Sequence, residues 1–141
     1  MWSRKERIRN WRNECWLCVV CALIAFLNDE KGADKVEELL GESVSASVSI
    51  FLHEINLLEI YYGVFRHGGE SLAEETHARI SILPLKVVKG LRKNVFKEAG
   101  RLKATYRISL ADSIVLADAK SRQIPLVTCD HHEFDIIEER N

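Results

Sequence analysis

A chain of 141 residues has room for one domain of ordinary size. Apolar residues make up 47% and charged residues 29%, a balance that predicts a folded core and excludes an intrinsically disordered chain. The formal net charge of −1 excludes a polybasic nucleic-acid-binding protein, but it allows an enzyme that meets phosphates through a metal ion.

The first residues differ in composition from the rest of the chain. Five basic residues and all three tryptophans precede or begin an apolar run over residues 16–27. This pattern resembles a signal peptide, but no small-residue cleavage site follows, and the run of 12 residues is too short to span a bilayer. A membrane anchor in residues 1–27 is therefore the weakest hypothesis. We predict an irregular or helical extension over residues 1–13, a single domain over 14–141, and no membrane partner.

Cysteine positions argue against a disulfide framework. Cys15, Cys18 and Cys21 are crowded together and Cys129 is distant, which favours a reducing, cytoplasmic location. The crowded cysteines resemble part of a metal motif, but residues three apart in a strand point to opposite faces. Buried thiols are the favoured interpretation.

Hydrophobic periodicity predicts strands and helices that alternate along the chain. Strands are predicted over residues 16–20, 43–50, 80–85, 124–128 and 136–137. Helices are predicted over residues 22–29, 32–41, 51–65, 70–79, 88–102 and 109–123. Alternation of this kind favours an α/β fold, a three-layer α/β/α sandwich with a central, mainly parallel sheet.

Glu59 is the first candidate functional residue. It lies on or beside an apolar stripe that is predicted to be buried, formed by Ile55, Leu58, Tyr62 and Phe65. An ionised carboxylate at the edge of a core needs a cation or hydrogen-bond donors. Glu59 is therefore either a functional acid or a rim glutamate paired with lysine or arginine.

Asp112 and Asp130 are predicted at the same edge of the sheet as Glu59. Asp112 falls in the first turn of the helix that follows Ser109, where it is either a capping residue or a ligand. Asp130 directly follows the apolar strand, where a turn aspartate is the alternative. Carboxyl ends of parallel strands and the helix N-termini above them share one edge, so we expect the three acids to meet around Mg²⁺ or Mn²⁺.

The loop after Asp130 holds further candidates. Asp135 is a candidate accessory acid and metal ligand. His131 and His132 lack the ligand spacing of a zinc site and are expected to be solvated or to contact the backbone.

With these residues in place, the chain resembles the PIN-domain family and, within it, the VapC-type toxins of type II toxin–antitoxin pairs. The resemblance covers roughly residues 17–138. Four segments carry it: ALIAFLNDEKGADKVEELL at 22–40, INLLEIYYGVFR at 55–66, ISLADSIVLADAK at 108–120 and LVTCDHHEFD at 126–135. It places Glu59, Asp112 and Asp130 at acidic positions of the family. It implies a Mg²⁺- or Mn²⁺-dependent endoribonuclease that cuts tRNA or rRNA, a cognate antitoxin that blocks the site, and a homodimer.

The first acidic motif departs from the family pattern, because Val19 stands where the family has an aspartate. Valine has no lone pair to offer a cation, and we expect a loss of activity of about 10³-fold. One interpretation is a toxin of impaired activity, and the alternative is a degenerate, non-catalytic PIN domain that binds an antitoxin or RNA. A misread N-terminus over residues 1–20 would also explain the departure.

A run of basic residues is the candidate RNA-binding patch, although a solvated helix face explains it equally well. It consists of Arg92, Lys93, Lys97, Arg101, Lys103 and Arg107.

Overall fold

The computed structural model describes residues 15–18, 20–29, 33–44, 49–124 and 126–127. In these ranges the strands are β1 (Cys15–Cys18), β2 (Ser49–His53), β3 (Lys86–Val88) and β4 (Leu126–Val127). The helices are α1 (Val20–Leu27), α2 (Ala33–Val44), α3 (Glu54–Gly68), α4 (Glu70–Ser81), α5 (Lys93–Thr105) and α6 (Leu110–Arg122). None of the helices in these ranges combines the length and the apolar character that a membrane span requires.

The strands form a parallel sheet in the order β3–β2–β1–β4. Leu17 in β1 is in register with Phe51 of β2 on one side and with Leu126 of β4 on the other. Because every pairing is parallel, the carboxyl ends of the strands share one edge, and the helices that follow them begin there. The predicted α/β class with a parallel sheet is confirmed.

Helices cover both faces of the sheet. In β2, Ile50 and Leu52 pack with Leu23 and Ile60 in one core cluster. Phe51, between them, packs instead against Val115 and Ala119 of α6. Successive strand residues point to opposite faces, so α1 to α4 cover one face and α6, with α5 packed on it, covers the other.

Two predicted strands are wrong. Residues 43–50 are predicted to form one strand. In the structure, α2 continues to Val44 and β2 begins at Ser49, while residues 45–48 lie outside the described ranges. The predicted strand over 80–85 starts inside α4, because Ile80 continues the buried helical face formed by Ala73 and Thr76. A short apolar run fits both the period of a helix and the period of a strand, and packing against the sheet decides which of the two forms. The predicted strand over 136–137 lies outside the described residues.

The predicted buried stripe of α3 is also largely wrong. Leu58, Tyr62 and Phe65 are 53%, 47% and 44% exposed, and we call these three residues the outer stripe. The face of α3 that is buried carries Asn56 and Ile60 instead. Helix α3 is apolar on two sides, and its core side is the one that contacts the sheet. The outer stripe leaves apolar surface of the kind found at protein contact sites.

Candidate functional site

His53 and the start of α3 position Glu59. His53 ends β2 and caps α3, because its Nδ1 accepts a hydrogen bond of 3.1 Å from the backbone N–H of Ile55. Ile55 in turn packs against the cluster that contains Ile114 of α6. Glu59, one turn after Ile55, therefore lies half-buried on the side of α3 that faces α6.

Ser109 positions Asp112 at the start of α6. The Ser109 hydroxyl oxygen accepts a hydrogen bond of 3.0 Å from the Asp112 backbone N–H, which caps the helix. In the described part of the chain, the Asp112 carboxylate itself has no hydrogen bond or ion pair. Capping thus uses the backbone of Asp112 and leaves its side chain available.

Glu59 and Asp112 interact electrostatically. Partial burial raises the pKa of Glu59, and the negative charge of Asp112 raises it further. Among the described residues, no hydrogen-bond donor or cationic side chain pairs with Glu59. Two neighbouring, unpaired carboxylates form a local concentration of negative charge, an arrangement that favours a bound cation.

Asn56 is a polar residue of this region that the sequence interpretation missed. It is 0% exposed and lies three residues before Glu59 on α3. Neither its amide oxygen nor its amide nitrogen has a hydrogen-bond partner in the structure as described, and the same holds for Nε2 of His53. The available signal was a polar residue on the same helical face as Ile60 and Glu59.

The other predicted ligands, Asp130 and Asp135, lie outside the described residues. His131, His132 and Val19 lie outside them as well. Within the described ranges, no three His, Cys, Asp or Glu side chains gather in a group that could hold a metal ion. The described part of the site therefore consists of two carboxylates and a buried amide.

Asp118, two turns after Asp112 on α6, is a structural acid that the sequence interpretation also missed. Its side chain is only 2% exposed, and its carboxylate accepts from Nε of Arg122 at 2.9 Å and from Nη2 of Arg92 at 3.4 Å. Arg92 also donates to Ser121, so the segment before α5 is held against α6. The spacing of Asp118 and Arg122 was a readable sign of this pair.

Three of the six residues of the predicted basic patch form ion pairs or hydrogen bonds within the protein. Arg92 pairs with Asp118, Arg101 with Glu98, and Lys103 donates to the Ile108 carbonyl. Lys93, Lys97 and Arg107 have no partner among the described residues. Within the predicted patch, as far as the structure describes it, these three cations are available to a ligand without breaking an internal contact.

Comparisons with known proteins agree with this architecture. The sequence matches the family model of the PIN domain over residues 19–139. No curated protein sequence matches the chain.

Solved structures of toxin–antitoxin proteins share the fold. VapBC2 from Rickettsia felis, bound to a DNA fragment from its promoter, is 17% identical over 86% of this chain and 91% of that chain, with a TM-score of 0.67. VapBC-1 from nontypeable Haemophilus influenzae is 15% identical over 89% of this chain and 93% of that chain, with a TM-score of 0.65. VapC20 from Mycobacterium tuberculosis, a toxin that cleaves the sarcin–ricin loop, is 14% identical over 82% and 90%, with a TM-score of 0.61. Since the family match spans nearly the whole chain and the fold agrees with it, this chain belongs to the PIN domain family.

Proposed function

We propose that this chain is the VapC-type toxin of a toxin–antitoxin pair, an endoribonuclease that depends on Mg²⁺ or Mn²⁺. The observation that carries the proposal is the electrostatic interaction between Glu59 and Asp112, two carboxylates from separate helices that have no partner in the described structure. The PIN-domain match and the fold shared with toxin–antitoxin structures support the same function.

The donor set fits a hard divalent cation. Carboxylate oxygens are the ligands that Mg²⁺ and Mn²⁺ prefer, and a cation would offset both the partial burial and the Asp112 charge that raise the pKa of Glu59. We propose Glu59 and Asp112 as ligands, with Asp130 and Asp135 as further ligands from the C-terminal segment. A bound ion would supply an activated water and stabilise the leaving oxygen in phosphodiester hydrolysis. The contribution of α3 and α6 is to hold the two carboxylates together before any ligand arrives.

Val19 favours a second candidate function. A family site without its first aspartate has a weaker hold on the cation, and we expect activity about 10³-fold below that of an intact site. If that loss is complete, the chain is a non-catalytic PIN domain that binds an antitoxin or RNA.

Structured RNA of the tRNA or rRNA class is the proposed substrate. One structural neighbour, VapC20 from Mycobacterium tuberculosis, is described as cleaving the sarcin–ricin loop. In this chain, Lys93 and Lys97 lie one turn apart on α5 and, with Arg107, offer unpaired positive charge among the described residues. Replacing Lys93 and Lys97 with alanine should weaken RNA binding and reduce its dependence on salt.

The outer stripe supports a protein partner. Its apolar side chains are exposed at helical spacing along α3, and the neighbours from Rickettsia felis and Haemophilus influenzae are VapBC proteins. We propose that the chain forms a homodimer through this stripe and binds a cognate antitoxin. Tyr62→Lys should convert a dimer to a monomer in light scattering. Ile82→Lys is the control, because it also introduces a lysine at an exposed apolar residue, one that follows α4 and is not part of the stripe.

An RNA cleavage assay tests the catalytic proposal. The purified protein and its Val19→Asp variant are incubated with total RNA and Mn²⁺, and Asp112→Asn is made in each background. We expect weak cleavage by the parent and a gain in Val19→Asp that Asp112→Asn abolishes. Asp34→Asn is the control, since Asp34 is also an acid in the first turn of a helix, α2.

The two candidate functions give different results. No cleavage by the parent, with activity gained in Val19→Asp, favours the non-catalytic function for the natural chain. No cleavage by either protein contradicts the proposed site.

A further inference from the structure

Two unpaired polar groups lie on the same side of α3. The Asn56 amide is fully buried without a hydrogen-bond partner, and the Glu59 carboxylate is half-buried without a donor or cation in the described part of the chain. Residues three apart on a helix are neighbours on its surface, with Cβ atoms about 5–6 Å apart. One group is therefore a donor without an acceptor, and the other an acceptor without a donor.

Contacts on either side of Asn56 define where it lies. Ile55 packs with α6, whereas Leu57 packs with the cluster formed by α1, α2 and β2. Asn56 stands between these contacts, on the part of α3 that meets the core, and Glu59 stands beside it toward α6. An amide at this place cannot reach solvent without a rearrangement of the core.

Leaving a buried amide unpaired costs about 1–3 kcal/mol, so a leucine of similar size would give a more stable metal-free protein. Acids that bind a cation, in contrast, are commonly held by a hydrogen bond from a neighbouring group. An amide that is unpaired in the metal-free protein is suited to this task.

We infer that Asn56 is a positioning residue for Glu59: when a divalent cation binds, the Asn56 amide nitrogen donates to the Glu59 carboxylate and holds it beside Asp112. Asn56 acts through Glu59 and is not itself a ligand. The inference rests on the proposed function, since it requires a cation at the Glu59–Asp112 pair.

Mn²⁺ binding to the full chain, measured by calorimetry, tests the inference, and urea unfolding in the absence of metal is measured in parallel. Asn56→Leu should weaken Mn²⁺ affinity by about 10- to 100-fold, while its stability without metal equals or exceeds that of the parent. Asn56→Ala provides the same comparison if the leucine variant does not fold. Thr76→Val is the control, because it also replaces a buried polar side chain, one on α4 that donates to the Leu72 carbonyl.

A double-mutant comparison separates positioning from ligation. Glu59→Gln should weaken Mn²⁺ binding by itself, and adding Asn56→Leu to it should cause no further loss. Unchanged Mn²⁺ affinity in Asn56→Leu overturns the inference. The inference is also overturned if Asn56→Leu weakens Mn²⁺ binding equally in the parent and in the Glu59→Gln variant. A parent that binds no Mn²⁺ overturns the proposed metal site together with the inference, whereas the first two outcomes leave the proposed site intact.

Discussion

Glu59 of α3 and Asp112 of α6 are coupled by charge: partial burial raises the pKa of Glu59, and the negative charge of Asp112 raises it further. Nothing in the described structure offsets this repulsion. A raised pKa means that the folded protein disfavours the ionised carboxylate. The resulting destabilisation is absent below the ordinary pKa of 4.5 and develops as the pH rises through the higher folded value.

Glu59→Gln should therefore stabilise the metal-free protein at neutral pH. We expect a gain on the order of 0.5 kcal/mol, because solvent screens a carboxylate that is only partly buried. The gain should disappear in urea unfolding below pH 4.5, where the parent carboxyl is also neutral. Glu75→Gln, on the exposed side of α4, shows the effect of losing a charge elsewhere. A Glu59→Gln variant that is less stable than the parent at pH 7 would contradict the prediction that the ionised Glu59 carboxylate destabilises the metal-free protein.

Ser109 and Asp112 share one capping hydrogen bond, but we expect Ser109 to matter mainly for stability and the Asp112 side chain mainly for Mn²⁺ binding. Ser109→Ala removes the acceptor of the Asp112 N–H and should cost about 1 kcal/mol of unfolding free energy. Asp112→Asn keeps that backbone bond and should change stability much less. Mn²⁺ affinity should show the reverse order, with the larger loss in Asp112→Asn. Equal stability losses in the two variants would mean that the Asp112 side chain takes part in the cap.

Local patterns predicted much of this fold. The parallel sheet follows from alternating strands and helices, and α6 begins directly after its predicted Ser109 cap and ends at the left-handed Gln123. The shared edge of parallel strands also predicted Glu59 and Asp112 on one side of the sheet, and in the structure the charge of Asp112 acts on Glu59. These features depend on residues close together in the sequence or on rules that hold for any parallel sheet.

Packing between distant segments decided what local patterns could not. Helix α3 has one apolar side with Leu57 and Ile60 and another with Leu58 and Tyr62, and periodicity cannot tell which of them meets the sheet. The burial of Asp118 depends partly on Arg92, which precedes a different helix. The unpaired state of Asn56 likewise emerges only when α3 is placed on the core.

Arg122 should matter more to stability than Arg92, although both contact Asp118. Arg122 lies 2.9 Å from the carboxylate and its side chain is 27% exposed, whereas Arg92 lies 3.4 Å away and is 52% exposed. Arg122→Ala leaves a buried carboxylate with one weak partner and should cost about 2–3 kcal/mol. Arg92→Ala should cost less than about 1 kcal/mol. Urea unfolding at pH 7 measures both, and a larger loss in Arg92→Ala would reverse the assignment.

His53 should make the stability of the fold sensitive to mild acid. Burial lowers the pKa of His53 below 6.5, and this effect outweighs the opposing influence of Asp118, the Gly90 backbone and Glu54, while Arg122 lowers the pKa further. The unfolded chain therefore takes up the proton first as the pH falls. Stability is complete above pH 6.5 and declines as the pH falls from there through the folded pKa.

His53→Asn isolates this effect, because asparagine is also a preferred N-cap and can accept the hydrogen bond from Ile55. The variant should lose less stability than the parent between pH 7 and pH 5. His67→Asn, at the exposed end of α3, is the matched control for replacing a histidine elsewhere on the same helix. A parent and a His53→Asn variant with the same pH profile would show that His53 does not titrate differently on unfolding.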